Sequence, residues 1–406
     1  MNTIDAESLL KRILAITKEL ARFKDLDSIL DHILQEARNF TGADSGSIYL
    51  FENGQLTFNF VQNDTLFASG ASNKYLYSNS TLKFDNSSIA GQVAITQQPL
   101  NLPDVHLLPP NLPYTFNNEF DLATGYCTRS MLTVPLIGGE SQTIGVISLI
   151  NATDENNQIG SFSMNDELFA STLAYHATVA IERAIVNREM ILRMLATSRL
   201  RDPMETGPHV NRVGAYSAEI YKQWAIQNGK PYVEINKTKD TLRLAAMLHD
   251  IGKVAISDLI LKKPGKLTTD EYEIMKGHTV YVARLFGDGT SALDRMSADI
   301  ALNHHERWDG KGYPGKINQI KREPIQMEPG KAGHEISLFG SIVAIADVYD
   351  ALSARRVYKE AWPQEKVLDE IKKHSGSQFH PDLVSIFFDI YDVIEAIRLR
   401  YLDTSE

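Results

Sequence analysis

The stretch ALNHHERWDGKGYPG, residues 301–315, sets His304 and His305 side by side, then turns through Asp309, Gly310, Gly312 and Pro314. One buried histidine is ordinarily a satisfied core residue. Neighbours on a helix point about 100° apart, so two in a row cannot enter the same apolar core. The pair needs partners, and the sequence around it supplies them.

Eight of the eleven histidines lie at or after His209, in a half of the chain with helical apolar spacing and no strand-like alternation. ETGPHVNRV (205–213) places Glu205 before a helix that Pro208 can open, with His209 one turn inside. LAAMLHDIGKVAI (244–256) ends an apolar helix on His249-Asp250, with Gly252 as a stop signal. IMKGHTVYVARLF (274–286) puts His278 at the start of an amphipathic run, and SIVAIADVYDAL (341–352) buries Asp347 and Asp350 in an apolar helix. A carboxylate there is costly without a partner. Singly, each has a plain explanation: a core histidine, a solvated glutamate, an aspartate paired with arginine. A polynuclear metal site satisfies them together, and nitrogen and oxygen ligands without sulfur suit iron or manganese better than structural zinc.

HDIGK followed by HHERWDGKGYP resembles the HD-GYP family, the HD metallohydrolases that degrade the bacterial messenger cyclic di-GMP. LKKPGKLTTDEYEIMKGHT, AIADVYDALSARR, YKEAW and GSQFHPDLV extend the resemblance over about residues 200–390. It implies an all-α bundle holding a di- or trinuclear centre, iron first and manganese second. The implied ligands are His209, His249, Asp250, His278, His304, His305 and Asp347, with Glu205 for a third metal. His304 and His305 would then serve neighbouring metals. Two cations a few Å apart share a hydroxide that attacks phosphorus in line, with Asp250 in the catalytic centre. Lys253, one turn beyond His249, would bind phosphate or stabilise the leaving oxygen; its plainer role is a charge at a helix C-terminus. Asp309, Gly312 and Tyr313 would form the substrate loop, with a guanine stacked on Tyr313 and Trp308 as core. Arg356, Tyr358 and Lys359 match the segment that grips the second phosphate and guanine.

Three departures stand out. Val357 replaces a proline, and the spacing from Asp202 to Glu205 is one residue longer than the family's. KINQIKREPIQMEPGKAGHEISLFG (316–340) exceeds the family's loop by about a dozen residues, a length that marks functional or disordered segments. A lid is one reading of it, and His334 within it has no assigned role.

The first half reads differently. Residues 1–40 carry two helical patterns, followed by β-rich runs around Asn53-Gly54, a hairpin signal. A second hairpin surrounds Gly138-Gly139, and a helix from about 165 to 200 would run roughly 54 Å. TGADSGSIYLF, SIAGQVAITQQPLNLPD, RSMLTVPL, IGVISLINA and FSMNDELFASTLAYHATVAIERA resemble a GAF domain over residues 20–186. That implies an α+β fold, an antiparallel sheet with flanking helices and a ligand pocket of unknown occupant. Cyclic-nucleotide-binding members carry Asn-Lys, then Phe-x-x-x-Asp-Glu; Phe162, Asp166 and Glu167 fit, but Ala152 follows Asn151. Asp166 and Glu167 then serve the helix N-terminus, and Cys127 is expected as a small buried hydrophobe.

The expected organisation is an N-terminal helix (1–19), a GAF sensor (20–186), a helical linker (187–200) and an HD-GYP phosphodiesterase (201–406). The long helix either pairs with a second copy in a parallel homodimer or packs under its own domain. With 406 residues, more than one core is expected. The net charge of −10 argues against a nucleic-acid polymer as partner. No apolar run approaches the ~18 residues of a membrane span, and the acidic, helical N-terminus does not read as a secretion signal. A single cysteine excludes an internal disulfide framework. The expected compartment is the cytoplasm, and the expected activity is hydrolysis of cyclic di-GMP to pGpG or GMP under GAF control. A cyclic GMP-AMP phosphodiesterase and a non-hydrolytic metal-based redox sensor or interaction module are the alternatives; an HD nucleotide phosphatase conflicts with the Gly-Tyr-Pro loop.

Overall fold

The computed structural model describes residues 6–21, 23, 25–52, 54–66, 81–154, 158–201, 206–318, 320–321, 323–353 and 361–401. The chain forms two compact units, Met1–Val186 and Asn187–Glu406. No helix among the described residues is long and apolar enough to cross a membrane.

The first unit opens with α1 (Ala6–Leu20) and α2 (Leu26–Thr41), the latter capped by Asp25, whose carboxylate accepts from the Ser28 amide. β1 (Ala43–Glu52) and β2 (Gln55–Asn63) form the first hairpin, closing on Glu52 opposite Gln55; Asn53 of its turn lies outside the described residues. β3 (Thr81–Lys83), α3 (Ile89–Thr96), β4 (Leu100–Leu102) and α4 (Glu119–Thr124) lead to β5 (Met131–Ile137), β6 (Thr143–Thr153) and β7 (Ile159–Gly160). The sheet order is β3-β2-β1-β6-β5-β4 with β7 on β6, all antiparallel. α5 (Met164–Arg199) follows.

Period-two alternation decides the two faces of this sheet. Ile48, Leu50, Ile147 and Leu149 turn toward α2 residues Ile29, Leu30, Ile33 and Leu34 and α5 residues Phe169, Leu173 and Ile181. Tyr49, Leu56 and Val146 turn the other way, against Ala90, Val93 and Ala94 of α3. This is the expected α+β layer.

The second unit is built from helices joined by loops, with no named strand among its described residues: α6 (Gly207–Gln227), α7 (Tyr232–Met247), a 3-10 turn (Ile251–Ala255), α8 (Asp258–Leu261), α9 (Thr269–Lys276), α10 (His278–Phe286), α11 (Ala292–Ala301), α12 (Leu338–Ser353), α13 (Gln364–Lys373), α14 (Pro381–Asp389) and α15 (Tyr391–Arg400). Local sequence sets several starts. Thr206 caps α6, while Thr268 with Glu271 and Ser291 with Asp294 form capping boxes at α9 and α11. Ile191 and Leu195, in the last turns of α5, pack in this unit against Val210, Leu244, Leu248 and Val282.

Candidate metal centre

The site is built where helices begin and end. His209 lies in the first turn of α6, its amide donating to Thr206 Oγ1 at 3.2 Å. α7 stops at Met247, and the turn after it carries His249 and Asp250. Gly252 is read from sequence as a helix stop, yet its main role is close approach. A Cβ there would collide with the His278 carbonyl oxygen, so only glycine lets α10 begin directly against the turn. The approach brings His278 Nε2 to 3.0 Å from Asp250 Oδ1. Asp347 projects from the middle of α12.

Seven side chains converge in two groups, Asp250 with His278, His304 and His305, and His209 with His249 and Asp347. Within each group the candidate ligand atoms lie within 4.8 Å of one another. Asp250 links the groups: Oδ1 faces His278 and His304 (3.0 and 3.5 Å), and Oδ2 stands 3.5 Å from His249 Nε2. In the second group, Asp347 Oδ1 is 3.7 Å from His209 Nε2 and 3.9 Å from His249 Nε2.

The hydrogen bonds fix which imidazole nitrogen carries the proton. Nδ1 of His249, His278 and His304 meets the carbonyls of Ala246, Met275 and Ile300 at 2.8, 2.8 and 3.1 Å. A carbonyl only accepts, so Nδ1 is the donor, and in the neutral form of each ring Nε2 then presents a lone pair to the centre. Burial lowers the pKa of His304 and, together with His304 and His278, holds His305 far below the usual imidazole range. For Asp250, burial works to raise the carboxyl, but the Lys253 ammonium beside it outweighs burial and holds it well below the usual carboxylate range. Nε2 of His278 and of His304 makes no hydrogen bond although each is buried. Neutral lone pairs aimed at a buried carboxylate repel it unless a cation lies between them. The donor set therefore fits bound metal, as two adjacent positions sharing Asp250.

His304 and His305 depart from the expectation that they serve neighbouring metals: both fall in the Asp250 group. The helical-wheel argument does not apply to them, because α11 ends at Ala301 and the pair sits on the following turn, ring centroids 4.0 Å apart. Lys253 lies on the 3-10 turn rather than on α7, with Nζ 2.5 Å from Asp250 Oδ2. Tyr313 does line the site, but its ring stacks on His305 (4.8 Å, 29°), and Lys276 Nζ stands 5.5 Å from its centroid. His305 thus covers one face of the ring. Asp309 is held in the fork of Arg307 (3.1 and 2.9 Å), and Gly312 leaves no room for a side chain against the backbone of residues 305–307. Trp308 is half-buried, not core, with the rings of His380 and His334 at 4.2 and 5.1 Å. Glu205, Arg356, Tyr358 and Lys359, like Asp202 and Val357, lie outside the described residues.

Sequence reasoning missed the groups that hold the ligands. Asp350 accepts from His209 Nδ1 at 2.8 Å and is itself gripped by Arg212 Nε and Nη2 at 2.6 and 2.9 Å. Arg212 Nη1 donates to the Tyr401 carbonyl at 2.6 Å. Burial alone would raise the Asp350 carboxyl, but His209 and Arg212 hold it below the usual range. The signal was present: Arg212 follows His209 by three, Asp350 follows Asp347 by three, and both steps stay on one helix face. Glu306, also buried, accepts from the Gly315 and Lys331 amides at 2.6 and 2.9 Å.

Models of known families match both units, a GAF domain over residues 25–181 and an HD domain over 234–383. The chain carries a GAF domain followed by an HD domain. His209 precedes the matched stretch of the HD domain and joins the site through α6. Among its relatives, 3'3'-cGAMP-specific phosphodiesterase 2 of Vibrio cholerae is 37% identical over 49% of this chain and 34% of its own length. A cyclic di-GMP phosphodiesterase of Thermotoga maritima is 39% identical over 52% of this chain and 51% of its own. A cyclic di-GMP phosphodiesterase of Vibrio cholerae is 32% identical over 62% and 48%. The GAF–HD chain spans about half or less of the length of these relatives.

Proposed function

We propose that this chain is an HD-GYP-type phosphodiesterase that opens a cyclic dinucleotide, cyclic di-GMP foremost, to linear pGpG and on to GMP. The observation that carries the reading is the convergence of His209, His249, Asp250, His278, His304, His305 and Asp347 into two groups joined by one carboxylate. In this reading those seven hold two metals and Glu205 a third, iron before manganese by the sulfur-free donor set. Bound cations supply Lewis-acid charge to the phosphodiester and activate water for in-line attack. The protein's own groups do the rest. Asp250 binds both positions, Lys253 beside it provides positive charge for the departing 3′-oxygen, and Tyr313 walls the cavity over His305. Asp309 and Gly312 shape the loop, while Arg356, Tyr358 and Lys359 take the second phosphate and guanine. The acidic chain thus meets a dianionic substrate through local cations.

The GAF domain would tune this activity through a ligand of its own. α5 supports a homodimer: Leu168, Tyr175, Val179 and Val186 are exposed at heptad-like spacing of seven, four and seven. Mixed cyclic GMP-AMP is the second substrate to test, on the strength of the relative named for it.

The test is anaerobic purification, metal analysis, and incubation with each cyclic dinucleotide followed by separation of products. Linear products with at least two metals per chain are expected. His305→Ala and Asp347→Ala should each lower turnover about a thousandfold or more, several kcal/mol of lost transition-state stabilisation, with the helical fold intact. Full activity in either purified variant, metal content unchanged, would remove that residue from the ligand set.

A further inference from the structure

The long segment between Gly315 and α12 is the one sequence feature the proposed reaction does not use. All of residues 316–337 except 319 and 322 are described, and they are fastened at both ends of their course. At the near end, Arg284 of α10 donates to the Ile320 carbonyl at 2.5 Å and pairs with Glu323, while Lys321 pairs with Asp288 at 2.6 Å. Ile325 packs at Gly277, the residue before His278: a Cβ there would lie 3.3 Å from Ile325 Cδ1. At the far end the segment runs along the loop of residues 308–315. The Glu328 amide donates to the Pro314 carbonyl and the Gly333 amide to that of Trp308, both at 3.0 Å. Gly330 lies so close that a Cβ would stand 2.7 Å from the carbonyls of Gly310 and Gly312. A lid needs few ties to its frame, and this segment has many.

Lys331 makes the decisive contacts. Its Nζ donates to the Leu302 carbonyl and to Asn303 Oδ1, each at 2.9 Å, and its amide donates to Glu306 Oε2 at 2.9 Å. Leu302 and Asn303 precede His304, and Glu306 follows His305. Asn303 and Glu306 are themselves buried. One residue therefore grips both flanks of the histidine pair. Such a grip answers a physical need: past α11 the backbone keeps only the bonds of a short turn, the His304 amide to the Ile300 carbonyl at 2.9 Å and the Glu306 amide to the Asn303 carbonyl at 3.0 Å, and a cation suits the Leu302 carbonyl beside them.

We propose that Lys331 is a positioning residue, through which the inserted segment clamps the His304–His305 turn so that both imidazoles ligate one metal. The proposal rests on the metal reading of the site. Its test is a chelator challenge of the purified full-length protein loaded with Mn(II), following release over time, with the Co(II) absorption spectrum and a thermal melt alongside. Lys331→Met should release one metal equivalent about tenfold faster or more, the usual scale for loss of a group that orients a ligand. The equivalent held by His209, His249 and Asp347 should leave at the wild-type rate, and the Co(II) bands should change. Lys321→Met, which removes only the outer ion pair, should match wild type throughout. If Lys331→Met does not fold, Lys331→Gln, which keeps one donor, decides by the same measurement with a smaller acceleration. Wild-type release and spectrum in the folded variant, or equal acceleration of both equivalents, overturns the clamp alone. A wild-type protein that holds no metal overturns the site reading and the clamp with it.

Discussion

The two units bury polar groups to opposite ends. In the GAF unit, Arg38 donates to the Ala43 and Asp44 carbonyls (3.2 and 2.8 Å) and to Gln62 Oε1 at 3.1 Å. Asn151, in left-handed backbone with φ 58°, accepts from the Arg129 amide at 2.7 Å and donates to the Cys127 carbonyl at 2.8 Å. These groups close on the protein itself. In the HD unit, Nδ1 of His249, His278 and His304 is tied to backbone carbonyls while Nε2 of each faces Asp250. A buried polar group costs free energy until it is paired. Where the pairing is internal it specifies architecture; where donors and acceptors converge unmatched it reserves a place for something else.

Arg212→Ala should break this contrast most severely. Arg212 and Asp350 form a buried ion pair, 2% and 1% exposed, so removing the cation strands a carboxylate in the core. The expected cost is about 3–5 kcal/mol. The same change frees Asp350 from its fork, so the carboxylate that orients His209 is no longer fixed and metal retention falls as well. Denaturant unfolding of the second unit, read beside metal content, checks both. A large loss of stability with wild-type metal retention would show that the pair holds helices together without serving the site.

How much of this was legible follows from the same contrast. The hairpins were readable because alternation and glycine turns are local, as with Glu52 opposite Gln55 around Gly54. The seven clustered residues were readable as a resemblance, because they sit in long motifs at helix ends. What stayed hidden depends on contacts between distant segments. Asp350 and Arg212 lie 138 positions apart, and Lys331 reaches back 29 residues to Leu302. No local pattern states which carboxylate of Asp347 and Asp350 faces the metals and which faces an arginine. The resemblance implies neighbouring metals for His304 and His305, whereas their turn after Ala301 sets both rings beside Asp250 and His278, an arrangement only the packing of α10 against α11 decides.

A milder variant sharpens the GAF side. Asp166 was flagged by a nucleotide-binding pattern, yet its carboxylate accepts from the amide and hydroxyl of Ser163, both at 2.7 Å, and the Asp166 amide returns to Ser163 Oγ at 3.2 Å. That is a reciprocal cap at the start of α5. Asp166→Ala should lower stability of the first unit by about 1 kcal/mol and leave metal content untouched. A loss well beyond that, or a variant that fails only when a nucleotide is added, would return Asp166 to a ligand-binding role.

The smallest effect is expected at Cys127, where the sequence reading failed. Composition favours a buried thiol, but Cys127 is exposed. The reason is the local chain: Tyr126, Thr128 and Ser130 are buried while Cys127 and Arg129 point outward, the alternation of an extended segment leading into β5. Composition gives a cysteine's average preference for burial, but the parity of its neighbours decides which side it takes. Cys127→Ser should therefore change stability by no more than about 0.5 kcal/mol, and a thiol-reactive dye should label the folded protein promptly. Slow labelling that accelerates only on unfolding, with a larger cost for the serine variant, would place the thiol inside and reverse the parity of the whole segment. Tyr126 would then lose its hydrogen bond to Asp44, at 2.5 Å, and the Asn151 contact at 3.0 Å. The dye reaction thus reports on the contacts of Tyr126 with Asp44 and Asn151 through one exposed atom.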